Sequence, residues 1–193
     1  MGYSFVVRSS DNKAFKEWAV VCRALGTGRQ ILIVRKGGIA EGPGGFEVID
    51  RQFFLYPTYL HQSPTSVVSS WRDAFDQCVD ASPGSVTIRH YAMVASWVRV
   101  RTLEKLKALR GQHILSDAVV EERFKRWADD SVHALMVRVY ELPAPVVIPE
   151  LESYAGCKSW LTLAEEVPLA GARPVLDDAE FEKRVAEVRA IFR

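Results

Sequence analysis

Apolar residues recur at helical spacing near the start of the chain: Ala14, Phe15, Trp18, Ala19, Cys22 and Leu25. That stripe predicts an amphipathic helix over about 11–25. Asp11 stands where a side-chain oxygen caps a first turn, and Gly26 where a left-handed residue ends a last one. The period then changes. Ile31, Leu32, Ile33 and Val34 form the unbroken apolar run of a buried strand over 30–35, which ends on Lys36-Gly37-Gly38. Gly37, Gly38, Gly42, Gly44 and Gly45 follow closely, a density that calls for unusual backbone angles or a close approach. Residues 46–49 and 52–56 read as two short strands or one bent strand, with Pro57 as its end.

Ser63-Pro64 opens a predicted helix over 66–79. The longest alternation runs from Val86 to Val100, and its length predicts a bend or bulge, as in a barrel wall. Thr102 caps a short helix over 103–109 closed by Gly111, and Ser116 or Asp117 caps another over 118–127. Leu135, Val137 and Val139 mark a strand over 133–142, stopped by Pro143 and Pro145. The segment after Thr162 carries Pro168, Gly171 and Pro174 and reads as a loose wrap. Asp177 and Glu180 then form the capping box of a last helix, with the stripe Phe181, Val185, Val188, Phe192. Strands and helices do not alternate one for one, which argues against a doubly wound parallel sheet. The expected class is α+β: a small mixed, mainly antiparallel sheet or barrel flanked by about five helices.

Composition narrows the picture further. The chain has 193 residues, 48% hydrophobic and 25% charged, enough for a packed core in one domain over 1–193. A net charge of +1 excludes a broadly basic surface but leaves room for a local basic patch. Cys22, Cys78 and Cys157 are too far apart for a zinc ribbon or a disulfide framework and read as reduced thiols. No signal-peptide pattern opens the chain and no window is long and apolar enough to span a bilayer, so a cytoplasmic protein without a membrane partner is expected. No cofactor or metal motif is present, and none is expected.

Three stretches carry candidate chemistry. At Val34-Arg35-Lys36-Gly37-Gly38 a strand ends in two cations and two glycines, which can present N–H groups and charge to an anion; a plain tight turn would look the same. Phe53 to Gln62 sets aromatics beside Thr58, His61 and Gln62. Aromatic faces stack bases and polar tips read base edges, although a buried strand end would also use these residues. In Tyr154-Ala155-Gly156-Cys157-Lys158-Ser159-Trp160 a cation adjoins a thiol, with a packed turn anchored by Trp160 as the simpler account. His61, His90, His113 and His133 show no ligand spacing. Glu121, Glu122, Arg123, Lys125 and Arg126 read as a solvated helix face.

The strings Lys16-Glu17-Trp18-Ala19-Val20, Arg35-Lys36-Gly37-Gly38-Ile39, Phe54-Leu55-Tyr56-Pro57-Thr58-Tyr59 with His61-Gln62, Arg138-Val139-Tyr140, Leu142 and Gly156-Cys157-Lys158-Ser159-Trp160 resemble the bacterial domain of unknown function 1802 family. The resemblance covers about 13–163, leaving a C-terminal helix over 177–192 to dock on that core. It implies a link to restriction-modification systems and assigns no active residue. A fainter similarity in element order, to PUA-like domains of the EVE and ASCH groups, implies that the sheet closes as a PUA-like barrel flanked by about five helices, with RNA or a modified base bound in a cleft beside it.

The expected function is that of a nucleic-acid-interacting accessory module. Arg35, Lys36, Gly37 and Gly38 would take phosphate, and Tyr56, Thr58, His61 and Gln62 would line a cleft for a single nucleotide or modified base of DNA or RNA. Two alternatives stand beside it: a metal-dependent phosphodiesterase using Glu41, Glu47 or Asp50 with Lys36, and a protein-interaction domain without chemistry.

Overall fold

The computed structural model describes residues 7–36, 50–78, 83–126 and 129–193. The chain opens with strand β1 (Ser10–Trp18), helix α1 (Ala19–Gly26), β2 (Leu32–Arg35) and β3 (Gln52–Thr58). Two 3-10 turns lead to α2 (Arg72–Asp76), followed by β4 (Ser85–Val100), α3 (Leu103–Ala108), α4 (Asp117–Lys125) and β5 (Val132–Pro149). β6 (Trp160–Pro168), β7 (Arg173–Pro174) and α5 (Asp178–Ala190) complete it. The main path of the sheet runs β2-β5-β4-β3-β1-β6, with β7 beside β5. β1 and β3 run parallel, and the other described pairs are antiparallel. This is the α+β class expected, with five α-helices among the described residues.

β2 and β6 end that path on opposite sides, yet Arg35 at the end of β2 donates to the Ser159 hydroxyl, just before β6, at 2.9 Å. In a flat sheet five strand spacings would part them by roughly 24 Å. The sheet is therefore curled until its edges meet side chain to side chain. Both faces are covered. Phe53 and Leu55 enter one core with Val20, Leu25, Ile33, Leu135 and Phe181, while Phe54 and Tyr56 enter a second with Tyr91, Met93 and Leu142.

Several sequence expectations are corrected. Residues 11–18 form a strand, and only 19–26 are helical. Ala14 and Phe15 are both buried because β1 lies between β3 and β6 with a core on either face, so it lacks the alternation of a one-sided strand. Asp11 caps no helix; its Oδ1 accepts from the N–H groups of Asn12 and Lys13 at an irregularity in the β1–β6 ladder. The left-handed residue after α1 is Gly28, at φ 68°, rather than Gly26.

Pro57 lies inside β3. β4 pairs with β3 only as far as Phe54, so the ladder on that side makes no demand at the proline. The helix expected over 66–79 is cut short by extended Val67, which bridges to Leu115, and only Arg72–Asp76 is α-helical. β5 runs through Pro143 and Pro145 to Pro149. Its pairing with β4 jumps from His90↔Glu141 to Ile88↔Val146, so both prolines fall in a bulge where no ladder bond is needed. The stretch after Thr162 is no loose wrap but part of β6, paired with β1.

Other expectations hold. β4 spans its predicted range and bulges between Val94 and Ser96. Thr102 caps α3 through the Lys105 N–H, and Asp177 caps α5 through the Glu180 N–H at 2.8 Å. α5 docks Phe181, Val185 and Val188 on the first core. Ser116 is the N-cap residue of α4, without a side-chain capping bond. No helix among the described residues is long and apolar enough to cross a membrane.

Candidate functional site

β1 and β3 are parallel, so Trp18 and Thr58 finish them at the same end of the sheet. Arg35, Ser159 and the last turn of α4 gather there too, around an open cleft of about 370 Å³. All three stretches singled out in the sequence contribute to its wall: Arg35 and Lys36, then Thr58, Leu60 and His61, then Gly156 to Ser159. β1 adds Lys16 and Trp18, and α4 with its C-cap adds Glu122, Arg123 and Arg126.

The lining is strongly one-signed. Lys16, Arg35, Lys36, Arg123, Arg126 and Lys158 face a single lining carboxylate, Glu122. Glu17 lies fully buried beside them. Its Oε1 accepts the Trp18 N–H at 2.8 Å and stands 3.6 Å from Arg35 Nη1, while Oε2 has no hydrogen-bonding partner among the described residues. The Arg123 guanidinium lies over the Trp18 ring and donates to the Val34 carbonyl at 2.6 Å. Burial holds it below the usual arginine range, at about 10, so it remains a cation at neutral pH.

These cations are not equally available. Lys36 Nζ donates to the carbonyls of Phe124 and Ser131, each at 2.9 Å, and to that of Asp129, which uses all three ammonium protons. Burial lowers its pKa. Lys16 donates to the Tyr154 and Gly156 carbonyls, and burial lowers its pKa as well. Arg126 is held by Glu122, with bonds of 3.1 and 2.5 Å. Lys158 is exposed and makes only a long 3.3 Å bond to the Ser153 carbonyl.

Of the residues expected to form the site, Arg35, Lys36, Thr58 and His61 meet in this cleft. His61 is exposed and holds φ 63°, a positive value that no other non-glycine among the described residues adopts. Thr58 Oγ1 accepts the Leu60 N–H at 3.4 Å. Tyr56 is instead buried in the second core, edge-on to Tyr154, and burial pushes its phenol up to about 12. Gln62 turns away, and its Oε1 accepts the Val20 N–H in the first turn of α1 at 3.4 Å.

Gly37, Gly38, Glu41 and Glu47 lie outside the described residues. Asp50 precedes the opposite end of β3, bonded to Arg8 at 3.3 Å and to the Gln52 N–H at 3.2 Å, and does not meet Lys36. No group of three or more His, Cys, Asp or Glu suited to a metal occurs among the described residues. Cys157 is exposed on the cleft wall, while Cys22 and Cys78 lie elsewhere.

Sequence reasoning missed Lys16, Trp18, Arg123 and Arg126. Trp18 had been placed on a helix stripe. Arg123 and Arg126 sit in a run of mixed charge that looks solvated, and the fact that Arg123 alone turns inward leaves no mark in the pattern.

Residues 14–187 match the family model described as Domain of unknown function (DUF1802). The chain belongs to this family. DUF1802 is the family that the strings around Trp18, Arg35, Tyr56 and Cys157 resemble. No functionally curated protein matches the chain. Among solved structures, the crystal structure of ASCH from Zymomonas mobilis is similar, with a TM-score of 0.43 at 11% identity, covering 90% of this chain and 92% of that one. A point mutant of the same Zymomonas mobilis protein gives a TM-score of 0.41 at 11% identity, over 93% and 98% of the two chains.

Proposed function

We propose that this protein binds nucleic acid, holding one nucleotide of an unpaired strand in the basic cleft. The observation that carries this reading is charge segregation. A chain of net charge +1 places six cations and one carboxylate on the wall of a single hollow. Excess positive charge confined to a cleft focuses the field on an anion of similar size. Lys158, Arg126 and Arg35 line the hollow with hydrogen-bond donors suited to phosphate oxygens. Lys36, with all three protons on carbonyls, adds charge without a free donor, and Lys16, bound to two carbonyls, keeps one. Trp18 and His61 supply ring surfaces for a base, and Thr58 a hydroxyl for its edge. The near-neutral total charge favours one or two nucleotides over a long duplex.

The test is fluorescence anisotropy with short labelled single- and double-stranded DNA and RNA, with and without modified bases, across a salt series. Single strands should bind more tightly than duplexes, with an affinity that falls as salt rises. Lys158→Ala and Arg126→Ala should each weaken binding and shallow the slope of log K against log salt by about 0.7, the share of one phosphate contact on a single strand. Absence of salt-sensitive binding to every oligonucleotide would overturn the proposal.

A further inference from the structure

A second hollow, of about 410 Å³, lies on the other side of the segment that walls the basic cleft. From Leu55 to Leu60 the partition follows strand parity, and His61, beyond the strand, turns back to the first hollow. Thr58 and Leu60 line the first hollow, while Leu55, Pro57 and Tyr59 line the second. The start of α1 repeats the division, with Trp18 facing the cleft and Ala19 facing the second hollow. A single strand and the turn that follows it thus part the two hollows.

The crest of this wall carries two apolar side chains. Leu60 is 67% exposed and its neighbour Tyr59 is 37% exposed, two large hydrophobic side chains, Leu60 on the wall of the first hollow and Tyr59 on that of the second. The far hollow carries charged side chains as well. Arg23, Arg89, Glu141 and His90 line it, and Arg23 is steadied by Gln77 at 2.7 Å. The His90 imidazole is seated against Gly26, where an added Cβ would lie 2.2 Å from its Cε1. Burial lowers its pKa, so it stands neutral at physiological pH, with one ring nitrogen to donate and one to accept.

We propose that the second hollow is the subsite for the nucleotide adjacent to the one in the basic cleft, with Leu60 and Tyr59 inserted between the two bases. This rests on the nucleic-acid reading above. An exposed apolar crest between two hollows that each carry charged side chains has the form of a wedge that unstacks neighbouring bases. The second hollow has the composition to receive what the wedge displaces: Arg89 for the bridging or flanking phosphate, and His90 for a base edge. The ligand is therefore a strand of at least two nucleotides rather than a free mononucleotide.

The experiment is calorimetric titration with a nucleoside monophosphate, the corresponding dinucleotide and a tetranucleotide, in DNA and RNA forms. It is run on the full chain and on Arg89→Ala and Gly26→Ala. Arg89 is exposed, so its variant keeps the test valid if Gly26→Ala fails to fold. The expected result is a dinucleotide bound at least about tenfold more tightly than the mononucleotide, from one added base contact and phosphate, with that ratio collapsing in both variants. A dinucleotide no tighter than the mononucleotide, or a ratio unchanged in Arg89→Ala, overturns the second subsite and leaves the basic cleft standing. Failure of every nucleotide to bind overturns the nucleic-acid reading itself, and this subsite with it.

Discussion

The guanidinium of Arg123 lies 4.5 Å from the centroid of the Trp18 ring, joining the end of α4 to the end of β1. Its planar head stacks while an Nη1–H bonds the Val34 carbonyl at 2.6 Å, so one side chain ties α4, β1 and β2 together. Arg123→Met should keep much of the packing but leave that buried carbonyl without its charged donor, at about 1.5–3 kcal/mol in urea denaturation. Arg123→Lys should recover little of the loss, since an ammonium reproduces neither the flat stack nor the fork of donors.

Lys36 provides the contrasting case. Its three carbonyl acceptors close the end of α4 and the turn before β5. Lys36→Met should lower the melting temperature through the loss of those bonds while weakening oligonucleotide binding less than Lys158→Ala does. Parallel thermal scans and binding isotherms on the two variants check this. A Lys36→Met protein with unchanged melting and the larger loss of binding would make Lys36 the phosphate donor instead.

Tyr91 donates its hydroxyl to Asp11 Oδ2 at 2.5 Å, and the same oxygen takes an Arg8 bond at 2.8 Å. Asp11 is buried, so its carboxylate depends on these donors and on the two N–H groups at its own bulge. Burial, followed by the bond to Asp11, drives the Tyr91 phenol far above its ordinary range. Tyr91→Phe should cost about 1–3 kcal/mol because it strips a donor from a buried anion and supplies nothing in return. Denaturant midpoints of the variant and the wild-type chain measure it.

His113 sets an acid limit on stability. The side chain is buried, and desolvation, then the nearby Arg123 cation, hold its pKa down at about 4 from an ordinary 6.5. Neither ring nitrogen has a hydrogen-bonding partner among the described residues, and the attraction of Asp117 pulls the other way without prevailing. The unfolded chain therefore takes up a proton near pH 6.5, which the folded chain refuses until about pH 4. The contribution is complete above the unfolded value and is lost as pH falls through that window, by about 2 kcal/mol on reaching about pH 5. Denaturation at about pH 7.5 and about pH 5 should show the drop, and His113→Leu should flatten it.

The uneven legibility of this fold has identifiable physical causes. α5 was readable because Asp177 and Glu180 stand at capping distance and one apolar stripe meets one core. β4 was readable because its residues alternate over much of its length. β1 was not, because Ala14 and Phe15 are buried on opposite faces and mimic the adjacent apolar pair of a helix. The continuation of β5 was hidden by Pro143 and Pro145, which end strands unless a bulge relieves them, and the bulge is a property of the pairing with β4. At the candidate site, Arg35, Thr58 and His61 were legible as unusual residues at strand ends. Their convergence with Arg123 was not, because it depends on how the curled sheet brings α4 against β1.

The pairing of β1 with β6 sets Ser10 opposite Pro168, residues far apart in sequence. During synthesis β1 emerges early but has no neighbour on one side until β6 leaves the ribosome. Both cores contain residues from β1 and from segments after residue 160, so neither can be completed on a partly made chain. Such long-range closure is slow, and it leaves that edge of β1 unpaired until β6 is made. Interrupted synthesis should accordingly yield chains that chaperones hold and proteases remove, rather than a half-sized folded product.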